Sequence, residues 1–271
     1  MVAVNSPAIA ERRIGGVEAD RHIHGEGTPE RDWRRWKGLD ALQPISLDQL
    51  VPRAGRVVVV APHPDDEVLG CGGALALLAR AGHEIVVVGV TDGEGSHRGS
   101  TKWTPRLLGQ RRRDERAIGL ERLGLASPAH ALGLPDGGIG EMRESLGAAL
   151  RQVVRADDTV LATWRFDGHP DHEATGHAAV ALAAALGCKC WEVPVWMWHW
   201  ARPADPLVPW SRLRRLALDA DARARKRHAI AAHASQLETT PGERRGAVLP
   251  VWALARALRP FEVFIESDGR P

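Results

Sequence analysis

A chain of 271 residues and 29.4 kDa is long enough for one α/β domain with a substantial core. A hydrophobic share of 44% and a charged share of 26% exclude a disordered or fibrous protein, and a formal net charge of +2 gives no general electrostatic reason to expect nucleic acid or an anionic membrane as partner. Three cysteines are too few for a disulfide framework and no run of eighteen apolar residues could span a bilayer, so we expect a cytoplasmic protein.

The first part of the chain changes character near residue 56. Residues 1–40 mix small, charged and polar types without periodicity, and we predict a partly mobile N-terminal extension there, followed by one domain over 41–271. Residues 57–60 are a continuous run of valine, typical of a strand buried on both faces of a parallel sheet. Residues 68–81 then predict a helix whose glycines allow close packing on the sheet.

Strand and helix patterns alternate from there on. The predicted elements are strand 85–90, helix 106–123, strand 129–132, helix 143–155 and strand 159–162. This alternation predicts an α/β fold, a single Rossmann-like domain with a mostly parallel sheet flanked by helices. Ligands of such sheets bind beyond the carboxyl ends of the strands, so the loops that follow strands should converge at one edge. These loops are 62–67, 91–104, 133–140 and 164–172.

Two of these loops carry histidines and aspartates, APHPDDE in the first and FDGHPDHEATG in the last. The residues are His63, Asp65 and Asp66 in the first loop, and His169, Asp171 and His172 in the last. A catalytic zinc site takes three nitrogen or oxygen ligands and leaves one position open, which two histidines and one aspartate satisfy. A spare carboxylate can serve as general base, and a histidine kept protonated by an adjacent carboxylate can stabilise an oxyanion. The alternative for Asp65 or Asp66 is a cap on the following helix.

The motifs resemble those of the LmbE-like or PIG-L zinc deacetylases, which hydrolyse N-acetyl groups, mostly in glucosamine-containing conjugates. The resemblance covers most of residues 56–240. Its motifs are PHPDDE at 62–67, LGCGG at 69–73, TDG at 91–93, RRDE at 112–115, LPDGG at 134–138, HPDH at 169–172 and KRHAIAAHASQ at 226–236.

The resemblance implies a role for each clustered residue. His63, Asp66 and His172 would ligate Zn²⁺, with Fe²⁺ or another divalent ion as alternatives. Asp65 would be the general base and later the acid, and His169, tuned by Asp171, would stabilise the oxyanion. The chain contains no tyrosine, whereas members of the mycothiol pathway use a mobile tyrosine in the transition state. Either His169 acts alone here or another donor substitutes.

Five further residues are candidates for substrate contact. Asp92, Arg112 and Glu115 lie in motifs that line the pocket of the family, and a structural ion pair is the alternative for each. Trp103 and Trp164 lie in predicted edge loops.

The segment WEVPVWMWHW is unusually rich in tryptophan. If it is a strand, residues 196, 198 and 200 share one face and form an aromatic wall for a sugar ring or a lipid-like group. The alternative is that these indoles cover the core or join two subunits. The basic runs at 111–113 and 223–227 are expected on solvated helix faces.

The predicted function is hydrolysis of an N-acetyl group in a small amino-sugar conjugate of the glucosamine type, without nucleic acid as partner and compatible with a homo-oligomer. One alternative is hydrolysis of another amide on a sugar-bearing metabolite. A non-catalytic saccharide-binding domain is another, although it would not need Asp65 beside a complete ligand set. A nucleotide-dependent Rossmann enzyme is disfavoured because HPDDE, and not GxGxxG, follows the first strand.

Overall fold

The computed structural model describes residues 21, 23–53, 55–239 and 246–268, which contain one sheet of eight strands. The strands are β1 (Gln43–Pro44), β2 (Val57–Ala61), β3 (Ile85–Gly89), β4 (His130–Ala131), β5 (Thr159–Thr163), β6 (Lys189–Val193), β7 (Leu213–Ala217) and β8 (Phe261–Glu266). They lie in the order β1, β7, β8, β6, β5, β2, β3, β4. β8 runs antiparallel to both of its neighbours and the other pairs are parallel. The predicted mostly parallel, single-domain α/β fold is confirmed.

Helices connect and cover the strands. They are α1 (Glu30–Arg35), α2 (Leu47–Leu50), α3 (Asp66–Arg80), α4 (Pro105–Leu123), α5 (Arg143–Val153), α6 (Pro170–Leu186), α7 (Met197–Trp200), α8 (Ala220–Ile230), α9 (Ala234–Leu237) and α10 (Val251–Ala257). The condition for an aromatic wall on a strand is not met, since residues 197–200 form the short helix α7 and Trp196 precedes it as the N-cap. Its tryptophans therefore do not share one strand face.

The valine run of β2 divides the core into two layers. Val57 and Val59 point to a cluster that includes residues of α3, α4 and α8. Val58 and Val60 point to the opposite face, where residues of α5 and α6 cover them. Successive side chains of a strand alternate between faces, so an unbroken apolar run is stable only with helices on both sides.

A third core cluster holds most of the buried tryptophans and includes residues of the predicted N-terminal extension. Trp33 of α1 is fully buried there, and its indole nitrogen donates to the Trp198 carbonyl at 3.0 Å. The two rings meet edge to face with centroids 5.2 Å apart. The boundary at residue 40 remains a prediction, and residues 1–20 and 22 of the extension lie outside the described residues.

The order of the strands places the two histidine-bearing loops side by side. β3 follows β2 in the chain and lies on one side of it, whereas β5 lies on the other side. The strand order thus extends from β2 to one side through β3 and β4, and then continues on the other side from β5. Such a change of side opens a crevice beyond the carboxyl ends of the strands. No helix within the described residues is long and apolar enough to cross a membrane.

Candidate active site

Three predicted ligands converge in this crevice. His63 follows β2, Asp66 begins α3 and His172 lies in the first turn of α6. Oδ2 of Asp66 is 3.1 Å from Nδ1 of His63 and 3.2 Å from Nε2 of His172. One ligand atom from each of the three residues lies within 4.8 Å of the others.

The buried ring nitrogen of His172 is the strongest sign that these residues could hold a metal. His172 is fully buried, and its Nε2 makes no well-aligned hydrogen bond within the described residues, although the carboxylate of Asp66, itself a proposed ligand, lies 3.2 Å away. Leaving a buried polar atom unpaired is costly, and native proteins rarely do so. Two imidazole nitrogens and a carboxylate oxygen are donors that suit Zn²⁺, so a divalent ion fits this position.

Asp167 orients His172 through its other ring nitrogen. Oδ2 of Asp167 is 2.9 Å from Nδ1 of His172, and this carboxylate also accepts backbone N–H groups from Val195, Trp196 and Met197. A carboxylate of this kind fixes the imidazole tautomer and leaves Nε2 free to bind a metal. No role was predicted for Asp167 from the sequence, although it lies in the FDG that precedes HPDH.

Asp171 and Asp136 orient His63 through its Nε2, while its Nδ1 faces Asp66. Nε2 of His63 is 3.1 Å from Oδ2 of Asp171 and 3.2 Å from Oδ1 of Asp136. Burial disfavours protonated His63, but the hydrogen bonds to Asp136, Asp171 and Asp66 outweigh it and raise its pKa. Asp136 was also missed as a single residue, although its motif LPDGG was noted.

Asp65 lies beside the three ligands in a strained conformation. Its backbone has φ 138° and ψ −24°, a region that residues with a side chain rarely adopt and that is often found at functional sites. Its side chain makes no cap hydrogen bond to α3, so the capping alternative does not account for it. Nη2 of Arg112 donates to Oδ2 of Asp65 at 3.2 Å and to the Pro64 carbonyl at 2.9 Å.

The environment of Asp65 suits proton transfer. Burial raises the pKa of this carboxyl to about 7, against the opposing effect of the Arg112 guanidinium. A carboxyl with a pKa near neutrality can both accept and release a proton at physiological pH.

His169 differs from the sequence-based expectation. Its Nδ1 accepts the backbone N–H of Asp171 at 3.2 Å, while the Asp171 carboxylate accepts the Gly137 N–H at 2.8 Å and faces His63. Burial, together with the nearby His172 and His63, lowers the pKa of His169 to about 3. The imidazole is therefore neutral, with its proton on Nε2. His63, His169 and Asp171 also form a second group whose ligand atoms lie within 4.8 Å of one another.

A cavity of about 330 Å³ opens from this cluster. Besides the ligands, Asp65 and His169, its lining includes Arg98, Arg112, Asp136, Trp196, Trp198 and Gln236. Two indoles of the tryptophan-rich segment thus face the cavity, although on a helical segment and not on a strand.

The structure brings few of the predicted substrate contacts to this cavity. Of the five, Arg112 alone belongs to the described residues that line it. Asp92 pairs with Arg113, and Glu115 accepts the backbone N–H and hydroxyl of Ser235.

The two tryptophans of this group also lie elsewhere. Trp103 borders a separate surface depression with Lys102. Trp164 is buried in the third core cluster and stacks on Trp200 at a centroid distance of 6.1 Å. Neither position favours contact with a ligand in the cavity.

Comparisons with known proteins show what the chain is similar to. Residues 58–183 match the family PIG-L, described as GlcNAc-PI de-N-acetylase. The 2'-N-acetylparomamine deacetylase of Streptomyces fradiae is 32% identical over 158 residues, which cover 50% of this chain and 54% of that protein. The 1D-myo-inositol 2-acetamido-2-deoxy-alpha-D-glucopyranoside deacetylase of Nakamurella multipartita is 29% identical over 251 residues, covering 69% of this chain and 82% of that protein. The chain thus spans about half the length of the first relative.

A solved structure shows the same fold. The N,N'-diacetylchitobiose deacetylase from Pyrococcus horikoshii superimposes with a TM-score of 0.54 and 22% sequence identity. The match covers 78% of this chain and 80% of that one.

Proposed function

Residues 58–183 belong to the PIG-L (LmbE-like) family, and on that basis we propose that the chain is a metal-dependent hydrolase that removes an N-acetyl group from an amino-sugar conjugate of the glucosamine type. The observation that carries the proposal is the convergence of the buried Nε2 of His172 with His63 and Asp66, beside the buried carboxyl of Asp65. This combination supplies ligands and a base at one point.

His63, Asp66 and His172 would hold the ion. We propose Zn²⁺, and Fe²⁺ or another divalent ion could use the same donors. A divalent ion at this position makes water more acidic and polarises the acetyl carbonyl. Asp167, Asp136 and Asp171 support this role because they occupy the outer ring nitrogens and so orient the inner ones.

Asp65 would carry the proton between the two halves of the reaction. It takes a proton from the water molecule that attacks the acetyl carbon, and gives it to the amine nitrogen when the C–N bond breaks. Acetate and a free amino sugar result. Arg112 holds the Asp65 carboxylate by a 3.2 Å hydrogen bond and so limits its rotation.

His169 would stabilise the negative oxygen of the tetrahedral intermediate. Because Nδ1 accepts a backbone N–H, Nε2 bears the proton and can donate it in a hydrogen bond without the imidazole being charged. The absence of tyrosine from the sequence leaves this histidine as the proposed donor.

The cavity is of a size and lining suited to a sugar ring. Trp196 and Trp198 give it apolar surface, while Arg112, Asp136 and Gln236 give it polar groups. Relatives are named as deacetylases of N-acetylparomamine, of an inositol glycoside of N-acetylglucosamine and of diacetylchitobiose. These three compounds, with free N-acetylglucosamine, form the substrate set to test first.

The test measures acetate release together with metal content. We expect about one zinc per chain, release from at least one of the four compounds, and loss of release after chelation that added Zn²⁺ restores. Asp65→Asn should keep the metal and lower kcat by about 10²–10⁴-fold, the usual contribution of a general base. The matched control is Asp114→Asn, an exposed carboxylate of α4 that lies outside the cavity lining described above. Full turnover by the metal-free protein would refute the proposal.

A further inference from the structure

Helix α3, which carries Asp66, is broken after its first turn. Cys71 has φ −136° and ψ 17°, values that are not helical, and the helix continues beyond it. Sharp bends in helices have identifiable causes, such as the insertion of a side chain into the ladder of backbone hydrogen bonds. The cause here lies in two charged residues from distant parts of the chain.

Lys226 and Glu262 occupy the gap in the backbone ladder. In a regular helix the Gly73 N–H would donate to the Leu69 carbonyl four residues earlier. Here the Gly73 N–H donates to Oε1 of Glu262 at 2.7 Å, and the Leu69 carbonyl accepts Nζ of Lys226 at 2.8 Å. Oε2 of Glu262 accepts the next N–H, from Ala74, at 2.7 Å.

The two side chains complete the bridge by pairing with each other. Nζ of Lys226 lies 2.6 Å from Oε1 of Glu262, and their side chains are 3% and 2% exposed. The ion pair thus stands between the Gly73 N–H and the Leu69 carbonyl, in place of the direct hydrogen bond of a regular helix. The helix is opened on this side. Glu262 also acts as a remote cap for the second segment of α3, because a carboxylate at a helix N-terminus is favourable.

Close packing around the break explains two of the three glycines of LGCGG, Gly70 and Gly73. A Cβ on Gly73 would lie 2.4 Å from a methyl of Leu218 and 3.1 Å from Oε1 of Glu262. A Cβ on Gly70 would lie 2.5 Å from a methyl of Val193. A side chain at Gly73 would displace Leu218 and the Glu262 carboxylate, and one at Gly70 would displace Val193, so Gly73 contributes directly to the break.

We propose that Lys226 and Glu262 are positioning residues that set the angle of the first turn of α3 and thereby the affinity of the metal site. This inference rests on the proposed metal-dependent function. The first turn presents Asp65 and Asp66, and their placement relative to His172 on α6 depends on the direction in which this turn leaves the rest of α3. A regular α3 would point the turn elsewhere.

The position of the pair strengthens the argument. Both side chains line the same cavity as His63, Asp66 and His172, so the break lies in the wall of the site. Both also lie outside residues 58–183, the part that matches the family model, although Lys226 begins the motif KRHAIAAHASQ.

The experiment compares zinc affinity in pair variants and in a matched control. Glu262→Gln and Lys226→Met each leave one buried charge without its partner. Asp158→Asn removes the nearer of the two acidic partners of Arg56, whose Nη2 lies 2.7 Å from the buried Asp158 carboxylate and whose Nη1 lies 3.8 Å from Glu84; neither ion pair includes a residue of α3. Zinc dissociation constants are measured by competition with a chromophoric chelator, and thermal unfolding of the metal-free proteins is measured in parallel.

We expect the pair variants to bind zinc about 10- to 100-fold more weakly than wild type, as substitutions of groups that support metal ligands do. Asp158→Asn should lower the unfolding temperature and leave zinc affinity within about twofold of wild type. Glu262→Asp is the second variant if either substitution prevents folding, since it keeps the charge but is too short to reach both N–H groups. It should also weaken binding.

Two results would overturn the inference. Unchanged zinc affinity in folded pair variants would show that the pair only stabilises the fold, and so would an equal loss in Asp158→Asn. In both cases the proposed function would survive, because wild type still binds zinc. A wild-type protein without zinc affinity would overturn both.

Discussion

Replacing Asp167 by asparagine should weaken metal binding although the residue is not itself a ligand. The carboxylate accepts hydrogen bonds on both oxygens. Oδ1 accepts the N–H groups of Val195 and Met197 at 3.0 and 2.9 Å. Oδ2 accepts the Trp196 N–H at 2.9 Å and lies 2.9 Å from Nδ1 of His172. Asparagine has the same shape but one acceptor oxygen and one NH₂ group.

Either orientation of that amide has a cost. If NH₂ faces His172, then Nδ1 must accept and the imidazole proton moves to Nε2, the atom that the metal needs. If the oxygen faces His172, NH₂ opposes two backbone N–H groups and two hydrogen bonds are lost, at about 0.5–1.5 kcal/mol each or more for a charged acceptor. The second cost reduces the stability of the fold, whereas the first reduces zinc binding. For zinc affinity we expect a loss of about 1.4–2.7 kcal/mol, which is about 10- to 100-fold.

The assay is chelator competition with Zn²⁺ combined with urea unfolding of the metal-free protein. Glu192→Gln is the matched control, because Glu192 is also fully buried and accepts the Arg165 N–H, yet it makes no contact with a proposed ligand. Its zinc affinity should stay within about twofold of wild type. Unchanged zinc affinity in Asp167→Asn would refute the reasoning about the tautomer of His172.

Four further substitutions test the fold. A Cβ at Gly176 would lie 2.4 Å from a carbonyl oxygen of β5, so Gly176→Ala should destabilise the protein by about 2 kcal/mol in urea unfolding. The control is Gly147→Ala in α5, where a Cβ would meet nothing within 4 Å, and this substitution should stabilise the protein by about 0.5–1 kcal/mol. Trp33→Ala should lose about 3–5 kcal/mol, and a loss below about 1 kcal/mol would make residues 1–40 a peripheral extension after all. Burial lowers the pKa of His233 to about 3, so its own contribution to stability should fall by about 1.4 kcal/mol per unit as pH drops below about 6.5. The His233→Leu variant should therefore differ from wild type by about that slope, and equal slopes would contradict this.

The sequence predicted the features that depend on local pattern. The valine run at 57–60 indicated a strand buried on both faces, and the structure surrounds it with helices. The position of His63 and His172 after core strands indicated that their loops meet, because the carboxyl ends of parallel strands share an edge.

Features that depend on distant partners were missed or misjudged. Basic runs at 111–113 and 223–227 suggested solvated helix faces, yet Arg112 and Lys226 are buried. Their partners, Asp65 and Glu262, are 47 and 36 residues away in the chain, so no local spacing reveals them. Asp167 was missed for a related reason, since it acts through His172 and has no ligand spacing of its own.

The cavity is assembled from two consecutive stretches of the chain. The proposed ligands all lie within residues 58–183, whereas Trp196, Trp198 and the rest of the apolar wall except Leu69 come after Val193, the end of β6. A chimaera joined at that point would combine the hydrolytic centre of one homologue with the walls of another. Recombination there offers evolution, and protein engineers, a route to new substrate ranges, provided that the incoming stretch keeps the Lys226–Glu262 pair that holds α3.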